Sequence, residues 1–214
     1  MKHLRKLVDF LVGAGSAASS RDMGTANDAG MVTDAQLAQI LATVKPFTMV
    51  HESGVRFTVE QALRLIQQGI PGAFVECGVW RGGCSLAMLL AQRLKRGRVE
   101  RPVYMLDSFE GLPPVTPRDG PLALQWKQGD DPANYFDNCT ASIEELKNNL
   151  GALGFGAEDY RICPGWFKDT LPRLAEQLTV PGIALLRLDG DWYDSTLACL
   201  ESLVPLVSEG GIVI

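Results

Sequence analysis

From residue 70 to the last residue, short apolar segments alternate with amphipathic ones, and this alternation constrains the fold more than any other feature of the sequence. Each apolar segment ends at a glycine or a polar residue and precedes a segment with helical periodicity, which is the pattern of strand, turn and helix. Repeated units of this kind predict an α/β fold in which a mostly parallel sheet carries helices on both faces. The predicted strands cover residues 73–77, 102–106, 160–163 and 183–188, and a fifth begins at Ile212.

Apolar periodicity and capping residues also locate the helices. One is predicted over residues 33–44, and a second runs from Thr58, where Gln61 completes a capping box, to Gly69. Residues 111–138 are rich in proline, glycine and aspartate and are predicted to form a long loop, either an acceptor-side lid or a disordered insertion. Two further helices are predicted over residues 85–95 and from Ser142 to about residue 150. Another follows Thr170 and carries Pro172 in its first turn. The last begins at a cap provided by Asp194 or Ser195, and its predicted inner face consists of Leu197, Leu200, Val204 and Val207.

The first 30 residues differ in composition from the rest of the chain. Residues 13–30 are rich in small and polar side chains and predict a flexible linker behind a short N-terminal helix. Three basic residues before a short apolar run faintly resemble a secretory signal, but Asp9 interrupts that run and an amphipathic helix is favoured. We therefore divide the chain into residues 1–30, helix and linker, and residues 31–214, one domain.

Composition and charge exclude several functional classes. The chain has 214 residues and a net charge of −5, which gives no general attraction to nucleic acid or to anionic lipid. No apolar run approaches the roughly 20 residues that a transmembrane helix needs. The five cysteines form no C-x-x-C pair, so reduced thiols in a cytoplasmic protein are predicted.

A glycine-rich turn follows the first predicted strand. Glu76 stands two residues before Gly78, and Gly82 and Gly83 complete a G-x-x-x-G-G turn. Glycine permits close approach of a ligand to the backbone. A dinucleotide site prefers G-x-G-x-x-G, and Glu76 would repel a pyrophosphate but accept hydrogen bonds from a cationic or hydroxylated ligand. The alternative is an ordinary tight turn between a strand and a helix.

Aspartates follow two other predicted strands. Asp107 is placed to accept hydrogen bonds from the hydroxyls of a ribose, although aspartate also simply terminates strands. Asp189 and Asp191 flank Gly190 after a buried strand, and two carboxylates are costly to bring together unless a cation or proton lies between them. Mg²⁺ favours such oxygen ligands. A solvated loop in which an aspartate caps the next helix is the alternative.

Four segments, in this order, resemble the macrocin O-methyltransferase family, whose members include enzymes that methylate macrolide sugars and the sugar of aminocoumarin antibiotics. The segments are FVECGVWRGG at 74–83, LDSFEGLP at 106–113, PGWFKDTLP at 164–172 and LRLDGDWY at 186–193. The resemblance covers about residues 45–214. It implies a Rossmann-like class I methyltransferase fold and an S-adenosylmethionine- and Mg²⁺-dependent transfer of a methyl group to a hydroxyl of a sugar or other natural-product acceptor.

The resemblance also implies roles for individual residues. Thr48 and Met49 lie in a segment similar to one that folds over the cofactor in the family. Asp189 would be a metal ligand and Asp191 the first candidate for a general base, although the two catalytic roles could be exchanged, because a metal-bound hydroxyl has a lowered pKa and a nearby carboxylate can take its proton. The remaining cofactor-binding residues would be Glu76, Gly78 and Ser85 at the methionine part and Asp107 with Ser108 at the ribose.

This sequence departs from the family pattern at its end. The family's fifth strand continues into two adjacent aspartates that complete the metal site, whereas this sequence stops at Ile214, and the C-terminal strands of a seven-stranded sheet are apparently missing. A fragment is expected rather than a shortened inactive relative, because the last strand would be cut mid-run. A non-catalytic S-adenosylmethionine-binding protein is the alternative function, and an NAD-dependent oxidoreductase is less favoured. The acceptor's identity and a possible homo-oligomer stay open.

Overall fold

A five-stranded parallel sheet forms the centre of the molecule. The computed structural model describes residues 32–128, 139–178 and 182–214, so the predicted N-terminal helix and linker lie outside the described residues. The strand order is β3-β2-β1-β4-β5, and every neighbouring pair is parallel. The predicted α/β fold is thereby confirmed. The strands are β1 Ala73–Cys77, β2 Val103–Asp107, β3 Tyr160–Pro164, β4 Ile183–Leu188 and β5 Val207–Val213.

Helices cover both faces of this sheet. Alternating strand side chains form two apolar cores: Phe74 and Met105 belong to one, and Val75 and Leu106 to the other. The first core is closed by α1, α2, α3 and α5, and the second by α6 and α7. The helices are α1 Asp34–Val44, α2 Glu52–Gln68, α3 Gly83–Arg96, α4 Gly120–Gln128, α5 Ile143–Ala152, α6 Phe167–Gln177 and α7 Tyr193–Leu203, with 3₁₀ turns at Lys45–Phe47, Pro117–Asp119 and Val204–Leu206.

The start of α2 differs from the prediction. The helix begins at Glu52, and His51 caps it through its ring nitrogen, which accepts a hydrogen bond from the Ser53 main chain. Thr58, the predicted cap, is buried within the helix, and its hydroxyl donates to the carbonyl of Gly54, 3.0 Å away. A threonine that bonds back to the preceding turn is compatible with a helix interior, so the capping-box pattern was misleading here.

The predicted long loop after β2 contains regular structure. Within residues 111–128 the chain forms the 3₁₀ turn Pro117–Asp119 and helix α4, so the prediction of a continuous loop was wrong there. The remainder of the loop, residues 129–138, lies outside the described residues. Asp119 belongs to a capping box with Thr116, which fixes the entry to this helical segment.

Helices α6 and α7 also begin earlier than predicted. Helix α6 starts at Phe167, so Pro172 lies in its second turn. Helix α7 starts at Tyr193, and its buried face consists of Cys199 and Leu203, whereas Leu200 is 40% exposed. Within the described ranges, none of the helices combines the length and apolar character that spanning a bilayer requires.

Candidate functional site

One open pocket lies where the carboxyl ends of β1, β2 and β4 meet. In this strand order the connection changes direction between β1 and β4, and such a switch point leaves a crevice for ligands in α/β sheets. The cavity measures about 780 Å³ including its open mouth, a size that suits a nucleoside-containing ligand. Of the residues predicted for the site, all except Ser85 line this pocket: Thr48, Met49, Glu76, Gly78, Asp107, Ser108, Asp189 and Asp191.

Glu76 is the most deeply buried acid of the pocket. Its side chain is 2% exposed, and the hydroxyl of the buried Ser85 donates to its Oε2. On the other side, Nη1 of Arg187 lies 3.2 Å from Oε1. Burial raises the pKa of Glu76 to about 7, against the opposing effects of the Arg187 charge and the Ser85 hydrogen bond. Ser85 therefore lies behind Glu76 and holds its carboxylate in place.

Gly78 allows the ends of β1 and β4 to touch. Its φ is +89°, and a Cβ at this position would collide with the main-chain oxygen of Asp189 and lie 2.7 Å from its carbonyl carbon. The Asp189 N–H donates to the carbonyl of Cys77, 2.8 Å away. The close approach that this glycine permits is therefore to the main chain of Asp189, and the predicted contact with a cofactor remains a prediction.

Asp107 fastens the glycine turn to the end of β2. Its Oδ2 accepts hydrogen bonds from the main-chain N–H groups of Val79 at 2.7 Å and Trp80 at 2.9 Å, and its Oδ1 accepts one from Phe109 at 2.8 Å. A carboxylate offers about four acceptor positions, so capacity remains for the predicted ribose hydroxyls. Ser108 donates to the carbonyl of Gly111, 2.9 Å away, so its hydroxyl has a local partner.

Two further acids stand at the end of β4. Asp189 has a half-exposed side chain, and its Oδ2 accepts a hydrogen bond from Arg187 at 2.9 Å. The pKa of Asp191 is raised, mainly by burial and further by the charges of Asp189 and Asp107. In the described parts of the chain, no group of three or more histidine, cysteine, aspartate or glutamate residues is arranged to hold a metal ion. The described site thus offers two carboxylates, Asp189 and Asp191, at this end of the pocket.

The segment before α2 lies against the start of α3. A Cβ on Gly83 would collide with the Cβ of Thr48 and lie 2.8 Å from the carbonyl oxygen of Phe47. The Thr48 hydroxyl accepts a hydrogen bond from the main chain of Val50 at 3.0 Å, and Met49 is half exposed. Gly83 therefore permits Thr48 and Met49 to form one wall of the pocket.

Sequence reasoning missed several residues of the site. Arg187 was read as part of an apolar strand, and its buried ion pair with Glu76 was not foreseen. Four non-glycine residues of the described chain have a positive φ, and each lies at or beside the pocket: Trp80, Phe109, Cys139 and Asp191. Strained backbone of this kind collects at functional sites, but a sequence does not display it.

Comparison with known proteins places this chain in a family. Residues 35–214 match the family model described as Macrocin-O-methyltransferase (TylF). The chain belongs to the macrocin O-methyltransferase family. The recognition made from the sequence motifs is thereby confirmed.

Three relatives of this macrocin O-methyltransferase family member have names that state an acceptor. The first is the 8-demethyl-8-(2,3-dimethoxy-alpha-L-rhamnosyl)-tetracenomycin-C 4′-O-methyltransferase of Streptomyces olivaceus, which is 37% identical over 70% of this chain and 54% of the relative. The second is the mycinamicin III 3″-O-methyltransferase of Micromonospora griseorubida, which is 34% identical over 76% of this chain and 60% of the relative. The third is the demethyldecarbamoylnovobiocin O-methyltransferase of Streptomyces niveus, which is 40% identical over 70% of this chain and 54% of the relative. The matched regions therefore span between about half and three fifths of these relatives.

Solved structures agree with this family assignment. The structure of the O-methyltransferase NovP superposes with a TM-score of 0.65 at 29% identity and covers 99% of this chain and 81% of that protein. The calicheamicin methyltransferase CalS11 superposes with a TM-score of 0.57 at 20% identity, over 91% of this chain and 83% of that protein, which shows the fold alone. The predicted Rossmann-like methyltransferase fold is thus confirmed.

Proposed function

We propose that this protein is an S-adenosylmethionine-dependent O-methyltransferase acting on a hydroxyl of a glycosylated natural product or a similar small molecule. The observation that carries the proposal is the convergence of eight motif residues on one pocket at the sheet's switch point. These residues were selected from separate segments of the sequence, and a chance set would not be expected to share one cavity. Membership of a family whose named relatives act on tetracenomycin, mycinamicin and novobiocin precursors supports the acceptor class.

The residues of the pocket divide into two ends. Glu76 and Asp107 lie at the ends of β1 and β2, where they would face the amino acid and ribose parts of the cofactor, and Met49 would cover it. Asp189 and Asp191 lie at the end of β4, where the acceptor hydroxyl would be held. Transfer of the methyl group needs alignment of donor and acceptor more than added chemistry, and the two ends of one rigid pocket would supply that alignment.

The two aspartates fit a magnesium ion in their chemistry. Mg²⁺ in proteins commonly takes one or two carboxylates and fills its remaining positions with water or substrate oxygens. Asp189 and Asp191 both line the pocket, and each carboxylate is close enough for its charge to act on the other. Asp189 would hold the ion, which when bound would lower the pKa of the acceptor hydroxyl. Asp191, whose pKa burial raises, would accept the proton from that hydroxyl.

Calorimetric titration with S-adenosylhomocysteine, with and without Mg²⁺, tests the cofactor half of the proposal. We expect binding in both conditions, because the proposed cofactor-binding acids Glu76 and Asp107 lie at the ends of β1 and β2, whereas the proposed metal ligand Asp189 follows β4. Binding of NAD in its place would contradict the assignment and favour an oxidoreductase.

Methyl transfer to demethyldecarbamoylnovobiocin and mycinamicin III, followed by mass spectrometry, tests the catalytic half. We expect Asp189→Asn to abolish Mg²⁺-dependent methylation while S-adenosylhomocysteine still binds. Methylation that survives this change would refute the metal assignment. Cofactor binding by the wild type without methylation of either compound would favour a non-catalytic binding protein. Light scattering on the same samples would test whether the protein is a homo-oligomer.

A further inference from the structure

Arg187 occupies an unusual place for a basic residue. It lies on β4, the strand next to the central strand β1, and its register partner on β1 is Glu76. Partners in adjacent parallel strands project their side chains to the same face of the sheet. Arg187 is the one basic residue among the buried polar residues of the described chain, and its side chain is 9% exposed.

A single nitrogen of Arg187 contacts two acids with different predicted roles. Its Nη1 lies 3.2 Å from Oε1 of Glu76 and 2.9 Å from Oδ2 of Asp189. Glu76 belongs to the cofactor end of the pocket, and Asp189 belongs to the acceptor end. The guanidinium therefore links the two ends of the pocket directly, with one hydrogen bond to each acid.

The electrostatics of the pocket favour such a bridge. Glu76, Asp107, Asp189 and Asp191 all line the same cavity, and like charges at this proximity disfavour one another. A buried charge without a partner is strongly destabilising, whereas a charge that is paired and hydrogen-bonded is tolerated. Within the described residues, the side-chain hydrogen-bond partners of Glu76 are Ser85 and Arg187, so removal of the guanidinium would leave its carboxylate without an opposite charge.

We propose that Arg187 is a positioning residue that fixes the Glu76 and Asp189 carboxylates relative to each other, and thereby sets the distance between the methyl donor and the acceptor hydroxyl. This inference rests on the proposed function, because it concerns the same pocket. Arg187 would act through the two acids, without touching either ligand.

The first experiment measures S-adenosylhomocysteine affinity by calorimetry for Arg187→Met and Arg187→Lys. We expect Arg187→Met to weaken binding about tenfold, equivalent to about 1.4 kcal/mol, because Glu76 is released. Arg187→Lys should restore most of the affinity, because a lysine ammonium has three donors and only one nitrogen makes both bonds here. Arg98→Met, at an exposed arginine that does not line the pocket, is the matched control and should leave this affinity unchanged.

The second measurement asks whether Arg187 acts through Glu76. In a Glu76→Gln background, Arg187→Met should cause little further loss of S-adenosylhomocysteine affinity, since the acid through which it acts is already gone. The double variant also removes both buried charges together, so it is expected to fold even if Arg187→Met alone does not. In methylation of demethyldecarbamoylnovobiocin, Arg187→Met should lower kcat more than it raises the acceptor KM, because the misplaced Asp189 affects the reacting state.

Two results would overturn the inference. The first is a folded Arg187→Met protein, or a folded double variant, with the affinity and kcat of the wild type, which would make Arg187 a purely structural residue. The second is equal loss of affinity in the wild-type and Glu76→Gln backgrounds. Failure of the wild type to bind S-adenosylhomocysteine would instead refute the proposed function, so the two failures are distinguishable.

Discussion

The burial of the Glu76 carboxylate predicts how the stability of the protein changes with pH. Its pKa is raised from 4.5 to about 7, with burial as the main cause. A carboxyl group whose pKa is higher in the folded protein binds its proton more tightly there, so its contribution to stability is fully present below pH 4.5 and is lost as the pH rises through about 7. At about 1.4 kcal/mol per pH unit, ionisation of Glu76 costs the folded state about 3 kcal/mol.

Glu76→Gln removes the ionisation while keeping the size and hydrogen-bonding capacity of the side chain. We therefore expect the stability of the variant relative to wild type to increase by about 3 kcal/mol between about pH 4.5 and about pH 8. Urea unfolding followed by circular dichroism at both pH values measures this difference. Glu60→Gln, on the exposed face of α2, is the matched control and should show no comparable change. An identical Glu76→Gln difference at both pH values would refute the assignment of a raised pKa.

Two further predictions concern the backbone. Gly78→Ala should destabilise the protein by about 1–3 kcal/mol more than Gly97→Ala, and it should weaken S-adenosylhomocysteine binding. Both glycines have a positive φ, but only Gly78 faces the main chain of Asp189. Equal losses of stability for the two variants in thermal unfolding would show that this contact is unimportant. Ser142→Ala should cost about 1 kcal/mol by removing the cap that accepts the Glu145 N–H, and thermal unfolding identical to the wild type would show that this cap does not stabilise the protein.

The sheet could be predicted because each buried strand is a short apolar run between turn residues. Four of the five strands begin within one residue of their predicted start, and β5 begins earlier than Ile212, at Val207. Its middle contains Gly210 and Gly211, which argue against a strand in any local reading of the sequence. Pairing with β4 supplies the hydrogen bonds that the local sequence does not favour.

The caps were harder to predict because some are supplied from a distance. Helix α7 was expected to start at a cap from Asp194 or Ser195, but the side chain of Asp119 accepts the hydrogen bond of the Tyr193 N–H at 2.8 Å. The two residues are far apart in the sequence, and no periodicity connects them. A cap of this kind satisfies a helix N-terminus as well as a local one does, so the helix can begin earlier than its own sequence indicates.

The chemical types of the site residues could be predicted from the sequence, but their arrangement in space could not. Motif order placed Glu76 and Asp189 at strand ends, and parallel strands bring their carboxyl ends to one edge of the sheet. The charge between them, Arg187, was not recognised, because a single arginine within an apolar run carries no periodic signal. Its role depends on register with β1, which only the assembled sheet determines.

The strained residues around the pocket bear on how the protein can be stabilised. Trp80, Phe109 and Asp191 hold a left-handed backbone that costs about 1–2 kcal/mol for a residue with a Cβ. A selection for heat resistance alone would therefore favour glycine or asparagine at these three positions. Each such change would also allow the backbone that shapes the pocket to adopt other conformations. Mutant libraries intended to raise thermal stability should therefore keep these three positions fixed and vary residues away from the pocket.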